Sequence, residues 1–561
     1  MRGLVFALGL SITLIACAIY FRPILPIDET RYLSVAWEMK WRGDFLVSHM
    51  SGETYSHKPP LLFWLINAVW AIFGESDTLG RLVAPGAGLV SLVLIRKVAR
   101  GFWPDDKVAA QLAPIVLAAT FLWTLFLPMT MFDTLVTMSM LIAVLGMQSV
   151  TQEKRAAGWL LTGLGIGLGL LAKGPVIFLF VLPGSIAIAW WRLASVASEY
   201  KTRFKVGWFI GTLISVALGA AIVLAWAIPS AMAGGSEYAS DLFLGQTAGR
   251  MVKSFAHKRP IYWFLPFVPI CLLPWIAYRP AWKTISLWKS DRAAKLLLMW
   301  SVCTFAMFSL ISGKQLHYIL PLASLAALLI ARALSQQSNS EIRRAAILPV
   351  ALGCVASMAL PLLFNHVSYL SKQGLSGLIA DWTGFGFAAL GVGAMLYPAR
   401  SLIQQSTVVG TTGILWSCLF LAGTQQYWSG CDLTDLAKDL ANRKQPIAWF
   451  GDNQAQLNFL GRIQSVDRVE DQEDLTEWLS TKAEGLVVFP LTKIRRSKDS
   501  PTTGIRTITE VDREKAKEIT TELLRDRPDC RGELVTLFTR NRELYTEDYL
   551  VFQIAKTPWE R

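Results

Sequence analysis

The feature that most limits what this chain can fold into is a run of about 17–25 apolar residues, repeated from end to end of residues 1–426. Thirteen such stretches can be drawn: 3–20, 79–99, 107–127, 129–150, 157–172, 174–191, 206–229, 261–278, 293–312, 317–334, 345–364, 375–398 and 405–425. A hydrocarbon layer offers backbone N–H and C=O groups no water, so each stretch must close its hydrogen bonds as a helix. The fifth and sixth are short, and Lys173-Gly174-Pro175 between them suits a single hairpin. Charge is correspondingly scarce at 17% of residues, against about 25% in soluble chains. Disorder, a collagen-like repeat and a single soluble domain are thereby excluded.

The basic residues have a different use from the one an overall charge of +13 first suggests. Lys and Arg outnumber Asp and Glu nearly two to one over residues 1–426, while the two balance over 427–561. No dense basic stripe is present, so no nucleic-acid partner is expected. With the N-terminus cytoplasmic, alternate loops carry Arg96, Lys97, Arg100 and Lys107, then Lys154 and Arg155, then Arg192, Lys201, Arg203 and Lys205, and the pattern continues through Arg332 to Arg400. That is the positive-inside arrangement, and thirteen crossings put residues 427–561 outside. The first stretch leads into Tyr20-Phe21-Arg22-Pro23 without a small-residue cleavage site, so it reads as a retained span.

Residues 21–78 then form a long external loop. Its segments 31–41 and 61–73 carry Trp and Tyr at helical spacing, which suits helices lying in the interface and equally suits helices packed on the bundle. Residues 433–443, 471–482 and 512–526 read as helices, and 447–450, 486–489, 534–538 and 550–554 as strands. The expected architecture is a polytopic α-helical membrane domain over 1–426 with a small external α/β domain over 427–561. Cys431 and Cys530 both lie in that domain, where an oxidising exterior allows a disulfide.

Several polar residues are not explained by the bilayer. His49, His57, His257, His317 and His366 all fall in or beside predicted external loops, as do Asp28-Glu29 and Asp133. Ionisable groups at membrane depth are costly and point to function. Each carboxylate alone also suits a helix N-terminus. Beside them stand Lys58 before Pro59-Pro60, Lys173 before Gly174-Pro175, His257-Lys258-Arg259-Pro260, and Lys314 with His317-Tyr318. These cations run against the charge bias of the other loops. Such a set suits a phosphate ligand, which Arg can grip through two oxygens; attraction to anionic lipid headgroups is the plainer reading of any one of them.

These residues also carry a family resemblance. Asp28-Glu29-Thr30-Arg31-Tyr32, then Gly43-Asp44-Phe45-Leu46-Val47, then Tyr55-Ser56-His57-Lys58-Pro59-Pro60, resemble the acidic and Lys-Pro-Pro motifs of the protein O-mannosyltransferase-like group of C-type glycosyltransferases. Asp133, Ala172-Lys173-Gly174-Pro175, His257-Lys258-Arg259-Pro260, Leu273-Pro274-Trp275 and Tyr318-Ile319-Leu320-Pro321 follow in matching order. Within the group the chain most resembles the bacterial branch that transfers 4-amino-4-deoxy-L-arabinose to lipid A. The resemblance covers residues 1–335; the tail matches in placement and size only.

It implies the C-type fold and a polyprenyl (undecaprenyl) phosphate-linked sugar donor, used at the periplasmic face of the bacterial inner membrane without a nucleotide cofactor. The acceptor is lipid A or another periplasmic molecule. Asp28 becomes the central catalytic carboxylate, with Asp133 and Glu29 beside it. Lys58 and Arg259, helped by Lys173 or Lys314 and by Tyr318, bind the donor phosphate. Where relatives carry Glu before Lys-Pro-Pro this chain has His57. His57 and His257 are therefore candidate ligands for a divalent metal, Zn²⁺ or else Mg²⁺ or Mn²⁺, although two imidazoles fall short of a full ligand set. Protein O-mannosyl transfer is the competing activity of the same class. A lipid-sugar flippase is the competitor from another class, and it would call for related halves with broken helices and polar groups at mid-membrane.

Overall fold

The computed structural model describes residues 2–152, 154–243, 258–337, 347–366, 379–482, 484–494, 504–506, 508, 510–525, 529–542 and 545–556. The chain divides into two compact units. One comprises Met1–Ile19, Ser56–Met358 and Phe385–Leu419, and the other Tyr20–Tyr55, Ala359–Gly384 and Phe420–Arg561.

In the first unit, apolar helices dominate. Among the described residues of the whole chain, seven helical stretches are long and apolar enough to cross a membrane: Arg2–Phe21, Asp77–Phe102, Asp133–Thr151, Arg155–Leu193, Ser198–Phe243, Arg292–Leu310 and Leu402–Gly423. Shorter apolar helices occupy Leu61–Phe73, Lys107–Ala119, Leu322–Ser335, Leu348–Leu363 and Trp382–Leu396. The Arg155–Leu193 stretch is two helices, Arg155–Lys173 and Phe178–Leu193, separated by the 3-10 turn Gly174–Ile177. Gly174 makes this break possible at φ +72°, where a side chain is disfavoured.

Helices Asp133–Thr151 and Arg155–Lys173 pack at backbone distance. A Cβ on Gly146 would lie 2.5 Å from the Thr162 nitrogen, and one on Gly165 would lie 2.6 Å from the Ala143 nitrogen. Thr162 Oγ1 also donates across this contact to the Ala143 carbonyl at 3.3 Å. Small residues serve helix pairs in lipid because close backbone approach, not hydrophobic burial, supplies the attraction.

One predicted span takes a different form. Residues 261–278 hold only short turns, Leu265–Phe267 and Val268–Cys271, because Pro266, Pro269 and Pro274 remove amide donors and clash with the preceding helical turn. The segment is anchored by side chains and loop bonds. Trp275 is fully buried and its indole donates to the Val116 carbonyl at 3.0 Å. The Phe121 amide donates to the Leu273 carbonyl at 2.8 Å, and Tyr278 donates to Gln405 at 2.7 Å. The Leu273-Pro274-Trp275 motif thus fastens an irregular segment to the helix Lys107–Ala119.

At one end of that same helix, Asp106 caps the first turn by accepting from the Ala109 amide at 2.8 Å. Asp291 likewise caps Arg292–Leu310 through the Ala294 amide at 2.9 Å. Arg332 joins the two caps, with Nη1 at 2.5 Å from Asp106 and Nε at 2.7 Å from Asp291. Trp103 donates to Asp291 at 3.0 Å, and Ser335 donates to Asp106.

The second unit contains the α/β domain. Among the described residues this unit holds eight strands, including a small hairpin, β1 (His49–Met50) and β2 (Glu53–Thr54). The others are β3 (Ile447–Phe450), β4 (Asp467–Val469), β5 (Glu484–Ile494), β6 (Gly504–Arg506), β7 (Cys530–Arg542) and β8 (Tyr545–Lys556). These six form one sheet in the order β4-β3-β5-β8-β7-β6. β3 is parallel to β4 and β5, and the remaining pairs are antiparallel. Val469, Leu475, Val487, Leu537, Phe552 and Ile554 belong to its buried core. The three expected helices are present as Thr434–Arg443, Gln472–Thr481 and Glu510–Leu523. Cys431 follows the helix Gln425–Ser429, whereas Cys530 opens β7 opposite Lys556.

The same unit includes helix Asp28–Arg42, and this helix lies on the domain. Ser34 Oγ donates to the Ala455 carbonyl at 2.8 Å and accepts from the Phe459 amide at 3.1 Å. Glu38, 2% exposed, accepts from Arg42 at 2.8 Å and from the Gly52 amide at 3.0 Å, holding the β1–β2 hairpin to the helix.

The Arg332 cluster yields a prediction. Burial raises the Asp106 pKa, but the Ala109 amide, Ser335 and Arg332 together outweigh it, so the carboxyl titrates below its ordinary value. Its stabilising contribution is complete above about pH 4 and is lost as pH falls through the depressed value. Arg332→Met strands two carboxylates and should cost ~3 kcal/mol at pH 7. In thermal melts of the detergent-solubilised chain, the gap to the unsubstituted protein should narrow on acidification below about pH 4. A gap independent of pH would contradict the ion-pair account.

Candidate functional site

The candidate residues fall into two groups, one in each unit. In the second unit, Asp28 opens helix Asp28–Arg42, where a carboxylate complements the helix dipole. Its side chain is 45% exposed. Oδ1 accepts from Arg31 Nη2 at 2.5 Å and from the Tyr32 hydroxyl at 3.1 Å. These are the i+3 and i+4 neighbours that one helical face brings together. Oδ2 carries no hydrogen bond among the described residues. Burial and the adjacent Asp28 push the Tyr32 hydroxyl well above its ordinary pKa, so it remains a donor. Arg31 stays charged: burial disfavours the cation, but Tyr55, Tyr32 and Asp28 more than offset it.

Glu29 is placed differently. Arg22 grips both its oxygens, at 2.8 and 3.2 Å, and the Leu25 amide donates to it at 3.0 Å. Arg22 and Glu29 side chains are 2% and 3% exposed. This geometry fixes the approach of the chain to the helix and commits both carboxylate oxygens.

In the first unit, the close packing of helices Asp133–Thr151 and Arg155–Lys173 brings the start of one beside the end of the other. Asp133 lies in the first turn and Lys173 in the last, the positions where each charge opposes the helix dipole. Lys173 Nζ donates to Asp133 Oδ1 at 2.7 Å, with Asp133 buried and Lys173 partly so. The same ammonium stands over the Tyr318 ring at 4.7 Å. Lys58 stands over Phe132, next to Asp133, at 5.8 Å. His317 packs edge-on between Phe126 and Tyr318.

Arg259 and Lys314 are joined through the backbone. Lys258 bridges Gly313, and the Arg259 amide donates to the Ser312 carbonyl at 3.1 Å. Lys314 donates to the Arg259 carbonyl at 3.1 Å and to the Ile311 carbonyl. Burial lowers its pKa. Its ammonium therefore clamps the strand-like contact, whereas Arg259 is exposed.

Of the metal candidates, His57 is exposed, and His257 lies outside the described residues. Among the described residues no group of three or more His, Cys, Asp or Glu side chains gathers as a metal site. Arg22, Arg31 and Glu38 were not singled out by sequence reasoning. The signal for Arg31 was present in its i+3 spacing from Asp28; buried Glu38 had none, since its amide partner is supplied by a hairpin.

The fold is that of the C-type membrane glycosyltransferases, with an α/β domain appended. The structure of ArnT from Cupriavidus metallidurans bound to undecaprenyl phosphate matches with a TM-score of 0.71 at 17% identity, covering 98% of this chain and 97% of that one. Its apo form matches with a TM-score of 0.72.

In sequence, residues 57–226 match the family described as dolichyl-phosphate-mannose-protein mannosyltransferase. Relatives called undecaprenyl phosphate-alpha-4-amino-4-deoxy-L-arabinose arabinosyl transferase include one from Erwinia tasmaniensis, 28% identical over 394 residues, covering 66% of this chain and 68% of the relative. Another from Edwardsiella ictaluri is 29% identical over 397 residues with the same coverages, and one from Pseudomonas aeruginosa is 26% identical over 388 residues, covering 67% and 68%. The resemblance read from the motifs is borne out.

The Asp133–Lys173 pair is testable by a double-mutant cycle. Lys173→Met leaves a buried, unpaired carboxylate and should cost ~3–5 kcal/mol, with Asp133→Leu costing a similar amount. The double substitution should recover most of the loss in thermal melts. Simple additivity would show that the two side chains do not act as a pair.

Proposed function

We propose that this chain is an inverting glycosyltransferase that moves 4-amino-4-deoxy-L-arabinose from undecaprenyl phosphate to lipid A. It acts at the periplasmic face of the bacterial inner membrane, with its N-terminus cytoplasmic and its α/β domain periplasmic. One observation carries the reading: Asp28 is held at one oxygen by Arg31 and Tyr32 while its other oxygen stays open on a half-exposed side chain. Glu29 and Asp133, by contrast, are committed to Arg22 and Lys173.

In the reaction, an acceptor oxygen attacks the anomeric carbon as its bond to the donor phosphate breaks. Polyprenyl phosphate departs with the bonding electrons. A lipid A phosphate is already anionic and needs no general base. Asp28 then orients the sugar and stabilises the oxocarbenium-like centre, while Lys58 and Arg259 balance charge on the departing phosphate. Lys314 holds the Arg259 backbone, and Lys173 and Tyr318 are further candidate phosphate ligands. A divalent metal held by His57 and His257 would supply a Lewis acid for phosphate.

The mannosyltransferase family match favours a second reading, transfer to a protein hydroxyl. There Asp28 would instead remove the acceptor proton.

The test is mass spectrometry of lipid A from matched Gram-negative strains that make the aminoarabinose donor, with and without this chain. An added aminopentose should depend on the chain and vanish with Asp28→Asn at unchanged membrane abundance. Full transfer by that variant would remove Asp28 from the chemistry. Unmodified lipid A with the protein present would overturn the acceptor, and glycosylated periplasmic proteins would then support the second reading.

A further inference from the structure

The α/β domain contributes a side chain to the Asp28 group. Gln454 Oε1 accepts from Arg31 Nη1 at 2.7 Å, while Arg31 Nη2 donates to Asp28. Gln454 Nε2 donates in turn to the Asp452 carboxylate. The amide's orientation is thereby fixed from both sides: its oxygen faces a cation and its nitrogen faces an anion. Carboxylate, amide, guanidinium and carboxylate form one chain from Asp452 to Asp28.

The loop that presents Gln454 is built for position. It follows β3, with Gly451, Gln454 and Ala455 all at positive φ, a conformation costly for the last two. It is held independently of the Gln454 side chain. The Ala455 amide donates to Asn453 at 2.7 Å, buried Arg540 donates to Gln456 at 3.2 Å, and Ser34 bonds Ala455. Arg31 depends on it more heavily. The Arg31 side chain is 16% exposed, and its Nε makes no hydrogen bond among the described residues. Gln454 and Asp28 accept from its two terminal nitrogens, and Tyr32 lies beside the same guanidinium, its ring centroid 5.2 Å away.

From this geometry we propose that Gln454 is a positioning residue. It holds Arg31 in the rotamer that grips Asp28 Oδ1, and so aims the open oxygen of Asp28 at the reacting sugar. This rests on the glycosyltransferase reading for its kinetic consequence, but the hold on Arg31 can be measured without any activity.

Two readouts on the full-length chain in membranes decide it. In the first, arginine-selective labelling with phenylglyoxal is quantified at Arg31 by peptide mass spectrometry. Gln454→Ala should raise Arg31 labelling several-fold, with the melting temperature unchanged. In the second, the same variant should lower kcat for transfer about tenfold, the rate equivalent of one charge-assisted hydrogen bond, while KM for the donor stays within about twofold. The paired change Gln454→Glu with Asp452→Asn keeps an acceptor for Arg31 and a donor behind it, and should restore both readouts. Unchanged Arg31 labelling overturns the proposal, as does a kcat loss that the paired change fails to repair. If labelling rises but the unsubstituted chain transfers no aminopentose, the proposed function fails and the hold on Arg31 stands.

Discussion

Lipid cannot hydrogen-bond a backbone, and this constraint organises the membrane unit. Helices satisfy it by themselves; every interruption needs a partner from elsewhere in the protein. The interruptions are also where the candidate residues sit. Lys173 ends a helix at the Gly174–Ile177 turn, Arg259 precedes the proline-broken segment 261–278, and Lys314 and Tyr318 lie between helices Arg292–Leu310 and Leu322–Ser335. A helix interior would leave such side chains against lipid or neighbouring spans. A break stabilised by Trp275, Tyr278 or the Lys258–Gly313 bridge places them where irregular backbone is already supported.

The charges follow the same economy. Arg22 with Glu29, Lys173 with Asp133, and Arg332 with Asp106 and Asp291 are all close pairs with little exposure. Removing one partner from such a pair is far more costly than its net contribution to stability. These pairs are therefore architectural whatever else they do. Asp28 departs from the pattern, since it is the carboxylate of the Asp28-Glu29 motif that keeps substantial exposure. The difference between adjacent acids is made by the helix: position 28 faces Arg31 and Tyr32, while position 29 turns toward Arg22.

Local patterns were legible where a periodicity or propensity acts alone. Helix Leu61–Phe73 and strand Ile447–Phe450 begin and end at the residues the apolar pattern gave. Hydropathy failed at 261–278 because it counts apolar side chains and ignores three prolines. Strands Asp467–Val469 and Gly504–Arg506 were too short to show alternation, and β5, β7 and β8 extend well past their apolar centres because the antiparallel register carries polar residues with it. Lys173 and Asp133 were both identified, but their pairing depends on glycine contacts between two helices. The most consequential omission was non-local. Ser34 meets Ala455 across 421 residues of sequence, so nothing local could assign Tyr20–Tyr55 to the unit that holds the α/β domain.

That assignment changes what the appended domain is for. Loops at the carboxyl ends of parallel strands are the usual ligand-binding edge of an α/β sheet. Here the loop after β3, parallel to both neighbours, receives helix Asp28–Arg42. The helix buries Tyr32, Leu33, Val35, Ala36, Trp37 and Met39 beside Glu38, but hydrophobic burial is non-directional. Its orientation rests on Ser34, Arg31 and the β1–β2 hairpin. A carboxylate that must be presented with one oxygen bound and one open needs a rigid mount. The α/β domain supplies that mount through residues more than 400 positions further along the chain.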